Sequence, residues 1–216
     1  MPIHETERDG LIDRQQEKCL VQFLDLPIKY QNQRLDVVID YYSVDDLPQD
    51  IFEWAFQLVK TNLKDMYEKS NDGWNEKEKR KEMLAPQARY LIARSATEPL
   101  DFKGFLHFQM VQEETMDDDI MANCAYCYEI QLAQSVRSQG LGEYMMNLLS
   151  QIGSYWKMDK VMLTVFKANQ GAFKFYTKKL GFELDEISPG ACLPLYKAKK
   201  FDYELLSKPC KQSVRK

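Results

Sequence analysis

No apolar run in the 216-residue chain approaches the roughly 18–20 residues that a membrane-crossing helix needs, so no membrane span is expected. Histidine occurs only at His4 and His107, too few for a histidine-based metal centre. The five cysteines (Cys19, Cys124, Cys127, Cys192 and Cys210) are odd in number and scattered. That pattern fits free thiols in a reducing compartment and not a disulfide scaffold. Positive charge is not in excess: 29 Lys and Arg face 33 Asp and Glu, a net charge of −4 with pI ≈ 5.4. The basic footprint of a nucleic-acid binder is therefore missing, and a mildly acidic balance suits a basic partner better. No repeat or low-complexity segment is present. The polar, acidic start (Met1 to Asp9) resembles neither a signal peptide nor a transit peptide, so the expected location is the cytoplasm and nucleus.

What is present is enough apolar mass for one sizeable core: 44% hydrophobic and 12% aromatic residues. We expect an N-terminal extension over 1–34, a single domain over 35–206 and a tail over 207–216. Residues 4–33 are charged and Gln-rich around an apolar patch, Cys19 to Val21 with Phe23 and Leu24, and read as a docked helix. Leu35–Tyr42 is β-branched and aromatic, a strand. Phe52, Phe56, Val59, Leu63 and Met66 recur at spacings of four and three, one apolar face of a long helix ending near Ser70. The charge run 75–83 reads as a short helix with a solvated face over 76–82. Strands follow at Arg89–Ser95, Gly104–Val111 and Ala122–Leu132, with an acidic loop over 112–119. Gly140–Trp156 is a helix, Lys160–Phe166 an apolar strand and Asn169–Leu180 a helix. Phe182–Leu184 and Asp202–Leu206 close the chain as strands. The order points to one α/β layer fold on a mixed sheet.

The chemistry concentrates in Tyr128-Glu129-Ile130-Gln131-Leu132 followed by Arg137-Ser138-Gln139-Gly140-Leu141-Gly142. A strand runs into a two-glycine loop that opens a helix. Glycines let a ligand approach the backbone, and first-turn N–H groups bind phosphate. The loop lacks the Lys-Ser/Thr ending of a P-loop and lies too far along the chain for a Rossmann fingerprint. Downstream come Asn169-Gln170-Gly171-Ala172-Phe173-Lys174-Phe175-Tyr176 and Leu180-Gly181-Phe182.

The paired patterns, Arg-x-x-Gly-x-Gly and Asn-x-x-Ala-x-x-x-Tyr-x-x-x-x-Gly-Phe, resemble the GNAT superfamily of N-acetyltransferases over roughly residues 85–206. The resemblance implies an α/β (α+β) fold with a mixed, mostly antiparallel sheet of about six to seven strands flanked by helices. It implies acetyl-CoA as co-substrate and no metal. A narrower resemblance is to the NatD group, N-terminal acetyltransferases selective for histones. It rests on Tyr126 to Leu132, Val161 to Lys167, and the segment from Met66-Tyr67-Glu68 through Gly73-Trp74 to Glu82-Met83. That resemblance implies transfer of acetyl to the α-amine of chains beginning Ser-Gly-Arg-Gly, namely core histones four and two-A. It further implies a monomer without an obligate auxiliary subunit, and no direct nucleic-acid or membrane binding. The implied cofactor contacts are Ile130, Gln131, Leu132, Arg137, Ser138, Gln139, Gly140, Leu141, Gly142, Glu143, Thr164 and Asn169. The implied substrate positions are Tyr67, Tyr126, Tyr128, Thr164 and Tyr203, with Glu129 as general base and Tyr176 as general acid. Two positions depart from the pattern. Val111 stands where it carries a carboxylate, with Glu113 and Glu114 close by, and Asp72 stands where it carries an aromatic.

Other readings stay open at this level. Glu129 can be an edge-strand carboxylate facing solvent or an Arg, and each Tyr can be sheet or helix packing. Cys124-Ala125-Tyr126-Cys127 has the spacing of half a zinc site without a second half. The acidic loop can attract an Arg- and Lys-rich tail. A lysine or small-molecule acetyltransferase is the alternative within the fold, and a non-catalytic acetyl-CoA-binding module is the alternative outside enzymes.

Overall fold

The computed structural model describes residues 19–24, 27–98 and 100–211. Eight strands form one sheet in the order β1-β2-β3-β4-β5-β6-β8-β7. They are β1 (Ile28–Gln31), β2 (Asp36–Ser43), β3 (Arg89–Ser95), β4 (Phe102–Glu114), β5 (Met121–Leu132), β6 (Lys160–Phe166), β7 (Glu183–Leu184) and β8 (Tyr203–Pro209). Every pairing is antiparallel except β5 with β6, which is parallel. The GNAT fold expected from the sequence is what the chain adopts, with eight strands in place of six or seven.

Four readings need correction. The described part of 4–33 is not helical: residues 20–23 form a turn, and Ile28–Gln31 adds an edge strand to β2. The part of that reading on residues 1–18 lies outside the described residues. The strand β4 runs to Glu114, so Glu113 and Glu114 stand on a strand and the hairpin loop is only 115–120. The helix expected over 169–180 is a short helix followed by a π-helical turn, Phe175–Lys179. At the C-terminal end, β8 continues to Pro209, past the expected boundary at 206.

The helices cover both faces of the sheet. On one face, α1 (Gln49–Glu68) and α2 (Glu76–Met83) pack on β3 and β4 through Phe52, Phe56, Val59, Met83, Tyr90 and Phe105. On the other, α3 (Leu141–Tyr155) buries Leu141, Met145, Leu148, Leu149 and Ile152 against β4, β5 and β6. This helix is the crossover of the parallel β5–α3–β6 unit, and its two flanking strands are joined as such units require. The single turns α5 (Pro189–Cys192) and α6 (Leu195–Ala198) lie between β7 and β8, and α4 (Gln170–Lys174) precedes the π-turn.

The apolar stripe of α1 does two jobs. Its first half is core, with Phe52, Phe56 and Val59 nearly inaccessible. Leu63 and Met66, which continue the spacing, instead line cavities. The N-terminal half of α1 thus builds the fold, and the C-terminal half roofs the site.

Candidate active site

Strands β5 and β6 pair only from Cys124–Lys160 to Cys127–Leu163 and then separate. The later residues of β6 stay paired with β8, whereas among the described residues Tyr128–Leu132 have no strand partner on that side, the Leu132 carbonyl being met by the Arg137 and Asn62 side chains. The divergence leaves a row of peptide N–H and C=O groups facing a gap. Unpaired peptide groups recruit partners, so this edge suits an extended arm that carries amides. Ligands characteristically sit beyond the carboxyl ends of parallel strands.

Two cavities fill the gap. The larger, about 720 Å³, is lined among others by Ile130, Gln131 and Leu132 of β5, by Arg137, Ser138, Gly140 and Gly142 of the loop, and by Glu143, Asn169 and Tyr176. The first turn of α3 points its free N–H groups here, as a phosphate site requires. Gly140 has φ +88°, and a Cβ there would meet the Tyr30 hydroxyl at 2.4 Å. Only glycine fits. The Tyr30 hydroxyl donates to the Gln139 carbonyl (3.0 Å), and the Asn32 amide donates to the same oxygen (2.8 Å). The N-terminal edge strand therefore props the loop. The Arg137 guanidinium donates to the Leu132 carbonyl (3.2 Å) and to Asn62 of α1 (2.6 Å). Of the implied contacts, Leu141 is fully buried core and Gln139 turns its side chain back onto Ser135, so neither side chain lines the cleft. Asn169 lines both cavities while its side chain caps α4 through the Ala172 N–H (3.1 Å).

The smaller cavity, about 310 Å³, lies under the C-terminal half of α1. A bulge in β5 shapes it. Phe108 pairs with Cys127 and His107 with Glu129, so Tyr128 is the extra residue. Strict alternation would send Glu129 to the opposite face from Tyr126 and Tyr128. With the bulge, Cys127 and Ile130 face the α3 core, and Tyr126, Tyr128, Glu129 and Gln131 share the α1 face. The Tyr126 hydroxyl meets Thr164 of β6 at 2.5 Å. The rings of Tyr90, His107, Tyr128 and Tyr126 stand in a row, with centroid separations of 4.9, 5.3 and 4.8 Å.

Glu129 is only 4% exposed, and both its oxygens are engaged. Lys79 of α2 donates to Oε1 (3.1 Å), and Gln131 donates to Oε2 (2.7 Å). Lys79 is 8% exposed and also pairs with Glu82 at 2.8 Å. This corrects the reading of 76–82 as a solvated face. Lys79 and Met83, four residues apart, turn inward together. Outer-face charges tie the helix down: Arg80 grips Glu53 of α1 with two bonds (2.7 and 2.9 Å), and Lys60 pairs with Glu76 at 2.9 Å. Lys79 and Glu82 are the site residues that sequence reasoning missed. The only available signal was the i, i+4 relation of Lys79 to Met83 and its i, i+3 relation to Glu82.

The titrating groups are set apart by burial. Burial pulls Lys79 down, but the Glu129 and Glu82 carboxylates outweigh it and hold the ammonium above its usual value. Burial pushes Glu82 up. Burial, then the Glu129 charge, lifts Tyr67 to about 12. Burial also raises Tyr126, Tyr128 and Tyr176, so these phenols are hydrogen-bond donors and not bases near neutral pH. His107, fully buried, is pushed down to about 3 by burial and by Lys79, and is neutral. Tyr176 lines both cavities and stands where they join.

Tyr203 is not part of this assembly. It lies on β8 opposite Phe166, packs edge-on against Phe201 at 5.7 Å and lines neither cavity. Cys124 and Cys127 are divided between the two faces of β5, and burial raises both thiols, Cys124 to about 12.

A family model described as the acetyltransferase (GNAT) family matches residues 49–182. Among solved structures, the chain is similar to Ard1 from Thermoplasma volcanium, with 17% identity, 82% of this chain and 99% of that one covered, and a TM-score of 0.54. It is similar to Arabidopsis thaliana NAA60 in complex with a bisubstrate analogue, at 15% identity, 80% and 99% coverage and a TM-score of 0.59. It is also similar to the NatC complex bound to Gag peptide and CoA, at 16% identity, 80% and 99% coverage and a TM-score of 0.54. At such identities the likeness speaks to the fold. The matched stretch holds α1, α2, the β5 bulge, the Arg137–Gly142 loop and Tyr176. It spans more than half of the chain, and the chain belongs to the acetyltransferase (GNAT) family, whose members use acetyl-CoA.

Proposed function

We propose that the protein is an N-terminal acetyltransferase that acetylates the α-amine of chains beginning Ser-Gly-Arg-Gly, the start of core histones four and two-A. The observation that carries this reading is the small cavity itself. It is narrow, walled by Tyr67, Tyr126 and Tyr128, closed by a buried carboxylate, and it meets the larger cleft at Tyr176. Such a pocket admits a small first residue whose hydroxyl and peptide groups bond the tyrosine hydroxyls. A bulky first residue does not fit.

The larger cleft is the place for acetyl-CoA, with the phosphates on the Gly140–Gly142 turn and the arm along Ile130–Leu132. The co-substrate supplies an acetyl group already activated as a thioester. The rest falls to the chain's own residues. An α-ammonium loses its proton near pH 7.7–8.0, so a modest base is enough. Glu129 takes that proton, directly or through a water. Tyr176 keeps its own proton at the junction, where a leaving thiolate needs one.

The third-position Arg needs a carboxylate. Asp117 to Asp119 sit on the exposed hairpin tip. Glu113 is half-buried on β4, opposite Ala122, and its charge is felt by both Tyr126 and Tyr128. We assign the Arg to Glu113, two residues beyond Val111. The test is labelled acetyl-CoA with Ser-Gly-Arg-Gly peptides carrying free or blocked α-amines. Acetylation of the free form alone is expected. Equal labelling of lysines in the blocked peptide would establish the lysine acetyltransferase reading instead.

A further inference from the structure

Among the residues that line the small cavity, three carry formal charge: Lys79, Glu82 and Glu129. The other titratable groups facing them are Tyr67, Tyr90, Tyr126, Tyr128, Tyr176, Cys127 and His107. The phenols and the thiol are held protonated by burial, and the imidazole is neutral. One ammonium therefore faces two carboxylates, the buried Glu129 and the partly exposed Glu82, and this end of the cavity carries a surplus of one negative charge. Taking Lys79 and Glu129 out of water together is costly and is offset only by good geometry. The geometry is good: 3.1 Å to Glu129, 2.8 Å to Glu82, and the Tyr67 ring 5.0 Å beneath the ammonium. An arrangement this costly, placed on the wall of a cavity and not in the core, has work to do there.

We propose that Lys79 is a positioning residue for the reaction: it fixes the Glu129 carboxylate, and the unbalanced Lys79–Glu82–Glu129 triad selects a substrate that enters as an ammonium. The inference rests on the acetyltransferase reading of this site. The entering α-ammonium neutralises the triad. Its proton passes to Glu129, the neutral amine is left facing the cleft, and Lys79 keeps its own proton throughout. A single Lys–Glu pair would lack the vacancy for a cation, and two carboxylates without Lys79 would share a proton.

The test is a pH profile of kcat/KM, over about pH 6 to 9, for Lys79→Met, Lys79→Arg and Glu82→Gln, with acetyl-CoA affinity measured by calorimetry on each. In Lys79→Met the acidic limb is expected to move up by about one unit, as one carboxylate takes up a proton, with kcat down by tenfold or more. Lys79→Arg keeps the charge and is expected to return the limb towards its original position. In Glu82→Gln the triad is neutral, and the peptide KM is expected to rise roughly tenfold, the worth of one charge-assisted contact, with the acetyl-CoA KM unchanged. Should Lys79→Met fail to bind acetyl-CoA, and so fail to fold, the Glu82→Gln result decides. A lowered melting temperature with an unmoved limb and unmoved peptide KM would overturn the proposal and leave Lys79 a structural ion. Turnover of lysine amines but not α-amines by the wild type would remove the N-terminal reading alone, and the same limb would test the triad on those amines. Turnover of uncharged nucleophiles only would end both.

Discussion

The two cavities share a wall at Ile130, Gln131 and Tyr176 and differ in how they are made. The larger cleft is built around a glycine turn. Its central pieces come from one contiguous stretch, Ile130 to Glu143, and its chemistry is peptide N–H groups on a glycine turn. The small cavity is side chains from α1, α2, β5, β6, α4 and the π-turn, and its chemistry is ion pairs and phenols. A backbone site needs glycines at fixed places, and those leave a mark in the sequence. A side-chain site needs only that distant residues converge, and convergence leaves none.

The sharpest way to separate the two is Glu129→Gln. Size is kept, basicity is lost, and one of the two oxygens that accept from Lys79 and Gln131 becomes an amide donor. The expected drop in kcat is ~10²–10⁴-fold, the usual share of general-base catalysis, with acetyl-CoA KM unchanged. A steady-state titration of each substrate checks this, and a normal kcat would remove Glu129 from the proton path.

The converse change is at Gly142. A Cβ there would find ordinary contacts, 3.4 Å to Leu132 and 3.5 Å to Phe175. Gly142→Ala is therefore expected to bind acetyl-CoA within a few-fold of wild type. The branches of Gly142→Val fall on those neighbours and narrow the cleft, so acetyl-CoA KM is expected to rise by about tenfold or more, equivalent to about 1.4 kcal/mol. Calorimetry on both variants is the measurement, and equal affinities would move the phosphates off this turn.

The contrast extends to what the sequence revealed. The long helix, the strands β2 to β6 and the glycine turn are legible because apolar periodicity and turn chemistry are local. Ile28–Gln31 was hidden because an edge strand with alternating exposure, set in a Gln-rich stretch, has the composition of a solvated helix. The β5 bulge was hidden because alternation gives no sign of an extra residue. The resemblance points to Glu129, although its face could not have been assigned from spacing. Lys79 was concealed by its neighbours: inside Glu76-Lys77-Glu78-Lys79-Arg80-Lys81-Glu82 nothing marks the lysine that turns inward. Tyr203 lines neither cavity, and a tyrosine on a late strand is compatible with either a site or a packing role.

The neutral imidazole buried between Tyr90 and Tyr128, behind the small cavity, can be checked through stability. His107 has an ordinary value of 6.5 when unfolded and about 3 when folded. Below pH 6.5 the unfolded chain binds a proton that the folded chain does not. Stability from this group is thus complete above pH 6.5 and falls as pH drops towards 3, by up to about 1.4 kcal/mol per unit. His107→Phe keeps a ring between Tyr90 and Tyr128 and removes the titration. Urea unfolding midpoints between about pH 6.5 and 4.5 are expected to slope less in the variant. Parallel slopes would show that the folded protein protonates His107.

On the cleft side a smaller effect is expected from Tyr30→Phe. The ring contact with Tyr144, at 4.7 Å, is kept, and the bond to the Gln139 carbonyl is lost. One neutral hydrogen bond is worth about 0.5–1.5 kcal/mol. Acetyl-CoA KM should rise by about two- to tenfold while peptide KM stays put. A rise in peptide KM alone would detach the edge strand from the loop.

The smallest effect is the most pointed test of where the amine cavity ends. Tyr67 and Tyr203 are both tyrosines that resemblance placed at the substrate. The structure puts Tyr67 in the cavity wall, with its ring under Lys79 and edge-on to Phe166 at 4.9 Å. It puts Tyr203 one strand away, half-buried against Phe201. Removing the Tyr67 hydroxyl deletes a donor in the closed cavity, and an unpaired polar group of the peptide is then left behind, a cost of about 1–3 kcal/mol. Removing the Tyr203 hydroxyl deletes nothing that the cavity uses, and its ring still packs. Peptide KM for Tyr203→Phe should therefore match the wild type within about twofold, or 0.4 kcal/mol, while Tyr67→Phe raises it several-fold. If the two variants weaken the peptide alike, the substrate path runs over β8, beyond the cavity that the bulge and α1 enclose.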